Sequence, residues 1–343
     1  MSTLPDRLAA LAAADGSAGA WLRRTWRASA LGRRAATPRS DAGGGFWLEW
    51  SRELRRQAAD HRLPLDFRAH LRERARRALT NATVPPPASI RFPRRALRER
   101  VPVSLPPDLE RRAMEQGRAA GIDFARPMVA IDVPRRPDTC EDASAWLISQ
   151  GCTVVQMGHA PDPLRADGAV SLSAVPFDTS IVELFVLVRA AFLICDSIEM
   201  QHVAYVTNTP TLLLNARDLF SAYPVRDDGL FTMSTPIDLD TGRALTAGEL
   251  LHEDYYRAGR HFAFRDVAAA GVLAAVREMH GGVTAGWRED ANQTRFREEV
   301  TRAGHALADR VPVPAEWGPD GDFLGDGRLA AWQAEAVEHG RAV

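Results

Sequence analysis

The chain contains no lysine, and all 43 of its basic residues are arginine. Its three cysteines, Cys140, Cys152 and Cys195, are too few and odd in number for a disulfide framework, and the last two lie in strand-like apolar runs. No His/Cys spacing resembles a zinc site. The sequence therefore predicts buried thiols in a reducing compartment, and we expect a cytoplasmic protein that holds neither a metal nor a cofactor.

Long apolar runs are also missing. No stretch approaches the roughly 20 apolar residues that a membrane-spanning helix needs. The first residues, MSTLPDRLAALAAADGS, lack a basic start followed by an apolar core, so no signal peptide is predicted. The composition, 45% hydrophobic and 25% charged, is typical of a globular protein. With 343 residues, the chain has room for two domains or one large α/β unit.

Three common nucleotide and hydrolase motifs are absent. No G-x-x-x-x-G-K-[ST] occurs, which excludes a P-loop NTPase. No G-x-G-x-x-G follows the first predicted strand, which argues against a dinucleotide-dependent oxidoreductase. No G-x-S-x-G elbow occurs, as an α/β-hydrolase would need.

Charge is unevenly distributed along the chain. Residues 1–126 hold 25 Arg against 13 Asp and Glu, whereas the remainder holds 18 Arg against 31 acids. The basic part either packs on the acidic part or faces an anionic ligand. An Arg-rich stretch at 68–77 raises the possibility of a nucleic-acid module, but it has no interleaved aromatic residues, and we expect no nucleic-acid partner.

Three regions differ in their hydrophobic pattern. Residues 1–125 are predicted to be mainly helical, residues 126–260 to form a Rossmann-like domain, and residues 261–343 to form C-terminal helices and a tail. In the middle region, apolar strands at 128–134, 152–158, 169–175, 192–197 and 209–215 alternate with helices at 142–151, 179–191 and 197–208. This alternation predicts an α/β fold with a parallel sheet and right-handed crossovers.

The next part of the chain is predicted from its breakers and caps. A loop rich in Asp, Pro and Gly is expected from 216 to about 245, followed by a helix over 247–280. Thr246 and Glu249 have the spacing of a capping box for that helix. Glycines at 281–286 predict a break before another helix at 288–310.

Polar residues cluster at the predicted strand ends and in the helix that follows the fourth strand. Carboxyl ends of parallel strands meet at one edge of a sheet, and a helix N-terminus there favours an anion. We therefore expect these residues to converge on one site. The candidates are Asp132, Arg135, Arg136, Gly158, His159, Asp196, Ser197, Glu199, His202 and Asn215.

Several of these candidate residues can have either a structural or a functional role. Asp132 can cap a turn, and His202 can be a hydrogen-bonded packing residue. Arg135 and Arg136 can be surface charges or can clamp phosphate oxygens. Glu199 can complement the helix dipole or bind ribose hydroxyls. His159 has the chemistry of a general acid or base.

The order of elements resembles a family of bacterial glycosyltransferases of the GT-B type, with a heptosyltransferase-like C-terminal domain. The resemblance covers roughly residues 103–255. Its segments are VPVSLPPDLERRAMEQGRAAGIDFARPMVAIDV, SQGCTVVQMGHAPDP, FDTSIVELFVLVRAAFLICDS, HVAYVTNTPTLLLN and DLDTGRALTAGELL. This chain departs from the family pattern in having Asp132 and Pro134 where the family has His and Arg, Gln156 for an Arg, and Ile198 for a Gly.

The resemblance implies transfer of a sugar from a nucleotide-diphosphate sugar to a small-metabolite or polysaccharide-precursor acceptor, without a metal. Ser197, Glu199 and nearby amides would hold ribose and diphosphate, and Arg135 or Arg136 would offset the leaving-group charge. Asp132 or His159 would be the base. Residues 1–125 would be a helical or degenerate acceptor-side domain. The alternative is a non-catalytic glycosyltransferase-like protein that binds or regulates a partner enzyme, and a homodimer is also compatible with the sequence.

Overall fold

A computed structural model describes residues 100, 105–134, 136–157, 162–177, 179–216, 224–238, 241–245, 262–308 and 326–338. For residues 198, 199, 202, 206, 262, 303–308 and 338, it describes the backbone alone. Most of the predicted N-terminal region lies outside these residues, so the domain boundaries near 126 and 260 stay predictions. The described residues divide into two compact units between Leu212 and Leu213.

The first unit alternates helices and short strands. Two 3₁₀ turns, Pro137–Cys140 and Leu172–Ala174, lie between them. The elements are α1 (Pro107–Ala119), β1 (Met128–Asp132), α2 (Glu141–Ser149), β2 (Thr153–Gln156), β3 (Val170–Ser171), α3 (Ser180–Arg189), β4 (Phe192–Cys195) and α4 (Ile198–Thr207).

The described part of the second unit starts within a strand and contains five strands and three helices. Its elements are β5 (Thr211–Ala216, which starts two residues before the boundary), β6 (Gly229–Met233), β7 (Thr235–Asp238), β8 (Phe262–Arg265), α5 (Ala269–Ala285), α6 (Ala291–Ala308), β9 (Arg328–Leu329) and α7 (Ala331–Glu338). Strands β7 and β8 pair antiparallel. No helix among the described residues is long and apolar enough to cross a membrane.

In the first unit the strands lie in the order β3-β2-β1-β4, and in the second unit β5, β6 and β9 lie side by side in that order. Strand β1 pairs parallel with β2 and with β4, and β2 pairs parallel with β3. The chain therefore runs outward from β1 through β2 to β3 and then returns to the other side of β1 as β4. Together with the flanking helices, this arrangement confirms the predicted Rossmann-like α/β fold.

The centre of the first unit is apolar on both sheet faces. Every residue of β1 and β4 is buried, as expected for parallel strands that are covered on both faces. Helix α3 buries eight of its ten residues. It packs on α1, and the Phe124 and Phe185 rings meet edge to face at 5.3 Å. Helix α3 also packs on β1, whose last residue, Asp132, belongs to the candidate site.

Buried side-chain amides and charges hold the second unit together. The Gln333 amide donates to the Met233 carbonyl and accepts from the Met233 N–H, each at 2.9 Å, as a neighbouring strand would. Arg226 and Asp228 form a buried ion pair at 3.1 Å. Asp290 and Gln293 form a reciprocal capping box at the start of α6.

Two predictions were wrong in this part of the chain, and a third was confirmed only at its last residue. The expected loop over 216–245 contains β6 and β7, and β8 occupies 262–265 of the expected helix. These strands depend on pairing with distant segments, which local patterns do not encode. The break predicted over 281–286 occurs at Gly286, whereas the glycines at 281 and 282 lie within α5, which continues to Ala285.

Candidate active site

The candidate site lies at the carboxyl ends of β1 and β4. Asp132, the last residue of β1, is in register with Cys195, the last residue of β4. The Asp196 N–H approaches the Asp132 carbonyl oxygen at 3.4 Å. The strand order reverses between β1 and β4, and open α/β sheets bind ligands outside the strand ends at such a point.

Two carboxylates occupy this edge. Asp132 is 3% exposed, and Asp196 is half-buried as the first residue after β4. Neighbouring carboxylates make the local potential negative. A bound diphosphate would therefore need positive groups close to it to offset the repulsion.

The N-terminus of α4 supplies positive partial charge at this edge. Ser197 is its N-cap, with extended backbone, and the Ser197 Oγ accepts a hydrogen bond from the Met200 N–H at 3.2 Å. The first turn of a helix leaves four N–H groups without partners inside the helix, and the cap satisfies one of them. The other amides of that turn are suited to bind phosphate oxygens.

Cys140 ends the 3₁₀ turn that follows β1 and is fully buried. Burial, together with the nearby Asp196, Glu141 and Asp138 carboxylates, raises the pKa of its thiol to about 12, and a hydrogen bond with the Thr139 side chain opposes this rise. The thiol therefore stays protonated at neutral pH. It is neither a nucleophile nor a metal ligand in this state.

Two side chains tie down the segment that follows β2. The Gln156 Nε2 donates to the Asp162 carbonyl at 2.8 Å, and the Gln156 Oε1 accepts from the Leu164 N–H at 2.9 Å. Both carboxylate oxygens of Glu141 accept from the Arg165 N–H, at 2.8 and 3.0 Å. Gln156 is 1% exposed, and its bond from the Leu164 N–H is buried.

Sequence reasoning did not assign these anchoring roles. Gln156 stood out only as a departure from the family pattern, and Glu141 was not singled out. The available signal was a polar residue at the end of a buried strand, where an amide must find partners to be buried without cost.

The other predicted site residues fall into three groups. Arg136 is exposed, and its guanidinium lies 3.4 Å from the Asp138 carboxylate. Glu199 and His202 occupy the first and second turns of α4, where only the backbone is described. Three further predicted site residues, Arg135, Gly158 and His159, lie outside the described residues. Their proposed roles stay predictions.

Asn215 belongs to the second unit, where it has a structural role. Its backbone is left-handed, with a φ of 58°. The Asn215 Oδ1 accepts from the Val267 N–H at 2.8 Å, and the Asn215 N–H donates to the Thr232 Oγ1 at 3.0 Å. These bonds fix the end of β5 to the segment that precedes α5 and to β6.

Comparisons with known proteins give one distant likeness. No protein-family model matches the chain, and no curated protein matches it. The fold is similar to the crystal structure of a glycosyl transferase family 9 protein from Veillonella parvula DSM 2008, at 11% identity and a TM-score of 0.34. The match covers 51% of this chain and 52% of that one, so the chain spans about half the length of that protein. At that TM-score, the likeness assigns neither a family nor an activity.

Proposed function

We propose that the carboxyl edge of β1 and β4 binds a nucleotide-diphosphate sugar, and that the chain is a metal-independent glycosyltransferase of the GT-B type. The acceptor would be a small metabolite or a polysaccharide precursor. The observation that carries this proposal is the Ser197-capped N-terminus of α4, which follows the buried strand β4 at the point where the strand order reverses. The sequence resemblance over residues 103–255 supports it independently.

Binding of the donor would use the first turn of α4. Its amides and the Ser197 hydroxyl would bind the diphosphate, and Glu199 would bind the ribose hydroxyls. Arg135 or Arg136 would offset the charge that develops on the leaving diphosphate. That task requires Arg136 to leave Asp138, which costs little because the ion pair between them is exposed.

The acceptor hydroxyl needs a base within hydrogen-bond reach. Asp132 and His159 are the candidates from the sequence. At 3% exposure, Asp132 is nearly covered in this conformation, whereas Asp196 is half-buried on the same edge. We therefore add Asp196 as a third candidate for the base.

Calorimetry with UDP-, GDP- and CMP-sugars tests donor binding. We expect a nucleotide-diphosphate sugar to bind, and Glu199→Ala to weaken that binding by about tenfold, the loss of about 1.4 kcal/mol. The exposed Asp167→Asn is the matched surface control and should bind as the parent does. Absence of binding by all three donors at millimolar concentration, or equal binding by Glu199→Ala, would contradict the donor site.

A non-catalytic role is the second candidate. The near-complete burial of Asp132 and the loss of the family's His and Arg after β1 favour it. Donor binding without sugar transfer or donor hydrolysis, together with altered activity of a partner enzyme, would support this role. Release of nucleoside diphosphate that depends on an acceptor would support the transferase. Unchanged release in the presence of EDTA would support metal independence.

A further inference from the structure

A cavity of about 430 Å³ lies at the C-terminal end of α5, in the second unit. The small residues of the last helical turns line it, together with Glu278, Trp287 and Arg288. Its volume falls in the range of small-molecule sites. Nothing in the proposed glycosyltransferase reaction uses it.

Two consecutive glycines give the cavity its shape. A β-carbon at Gly281 would meet no atom within 4 Å, so this side of the helix opens into free space. A β-carbon at Gly282 would lie 2.5 Å from the Trp287 ring, so the indole packs directly on the helix backbone. The helix wall is therefore flat, with room for a ring-shaped molecule beside Gly281.

Trp287 is held in place before any ligand arrives. Its ring packs on Gly282, and the Arg328 guanidinium lies 4.9 Å from the ring centroid. Arg328 is itself fixed by a hydrogen bond to the Asp227 carbonyl. Because this wall is already ordered, ligand binding would not incur the loss of conformational entropy that ordering it would cause.

One acidic and one basic side chain provide the polar groups. The Glu278 Oε1 accepts from the Gln293 Nε2 at 2.6 Å, and the Glu278 Oε2 accepts from the Ala331 N–H at 2.8 Å. Each carboxylate oxygen has capacity for one more hydrogen bond. Arg288 is exposed and lines the same cavity as a donor.

We propose that this cavity binds a neutral hydroxyl-bearing ring, a monosaccharide unit. Hydroxyl groups would donate to Glu278 and accept from Arg288, while the apolar face of the ring would lie against the Gly281 backbone and Trp287. Glu278 disfavours an anion, Arg288 disfavours a cation, and a single carboxylate is too few ligands for a metal. This inference does not depend on the proposed transferase activity.

Saturation-transfer NMR on the full chain with glucose, galactose and N-acetylglucosamine tests the proposal, with ethanolamine as a cationic probe. We expect at least one sugar to bind and ethanolamine not to bind. Gly281→Leu should abolish sugar binding by filling the cavity. It should not impair folding, because leucine favours a helix over glycine and the space beside Gly281 is open.

Thr284→Leu is the matched control. It places the same leucine side chain at an exposed position of α5 that does not line the cavity, and it should bind sugar as the parent does. Glu278→Gln should weaken binding by about tenfold. If no sugar binds the parent, if ethanolamine binds in preference, or if the folded Gly281→Leu variant binds as the parent does, the proposal is wrong.

Discussion

Replacing Gln156 with leucine tests whether the segment after β2 is held by buried hydrogen bonds. Leucine has a similar volume but neither donates to the Asp162 carbonyl nor accepts from the Leu164 N–H. The Leu164 N–H is part of a buried bond, and leaving it unsatisfied costs about 1–3 kcal/mol. Asp162 is exposed, so water can partly replace the lost donor, at a cost of about 0.5–1.5 kcal/mol.

We therefore expect Gln156→Leu to lower the free energy of unfolding by about 1.5–4.5 kcal/mol, the two costs together. Urea titration followed by circular dichroism would show a lower midpoint at an unchanged slope. Gln150→Leu is the matched control at an exposed position, and it should stay within about 0.5 kcal/mol of the parent. Equal stability of the two variants would refute the inference that Gln156 anchors this segment.

Three further predictions concern a helix cap, a pair of glycines and a buried carboxyl. Ser197→Ala should destabilise the protein by about 1 kcal/mol through loss of the α4 cap, whereas Ser197→Gly should destabilise it by only about a few tenths of a kcal/mol. Urea titration measures both variants, and equal losses of stability would argue against the cap. Gly282→Ala should destabilise the protein by about 1–3 kcal/mol because the added methyl group meets the Trp287 ring, whereas Gly281→Ala should stabilise it by about 0.5–1 kcal/mol. Thermal unfolding measures both, and stability changes of the same sign would contradict the packing of Gly282 on Trp287. Burial raises the pKa of Glu278 above 4.5, so the folded state binds the proton more tightly than the unfolded state does. The free energy of unfolding of the parent, relative to that of Glu278→Gln, should therefore be highest below pH 4.5 and should fall as the pH rises through the folded-state pKa. Urea titrations of both proteins across this pH range would measure the difference, and a difference that grows with pH would overturn this prediction.

The Rossmann-like part of the fold was predictable because its information is local. Strands β1 and β4 are short apolar runs, of which the first ends in Asp132 and the second is followed by Asp196, and α3 is an apolar helix between breakers. Such patterns of apolar residues are visible in short stretches of consecutive sequence. The same logic predicted that Ser197 would follow a strand and begin a helix at the carboxyl edge.

The missed elements depend on partners that are distant in sequence. Strand β8 pairs with β7 across more than 20 residues, and nothing in its four residues specifies that pairing. Gly282 was taken as a breaker, although its close approach to Trp287 is what requires the missing side chain. Long-range packing overrode local propensity in both cases.

The candidate site was predictable only in part, for a related reason. Sequence position identified which residues end the strands, but not which of them would be buried. Asp132 is almost inaccessible, and the Asn215 side chain holds the Val267 backbone. Both facts follow from packing that a strand pattern does not contain.

Backbone amide NMR of the isotope-labelled full chain, during titration with the tightest-binding nucleotide sugar, tests the central claim most directly. We predict saturable shifts concentrated on the amides of the first turn of α4, residues 197–200, and on the ends of β1 and β4. Binding that leaves these amides unchanged while shifting others, or no binding by any nucleotide sugar, would contradict a donor site at the N-terminus of α4.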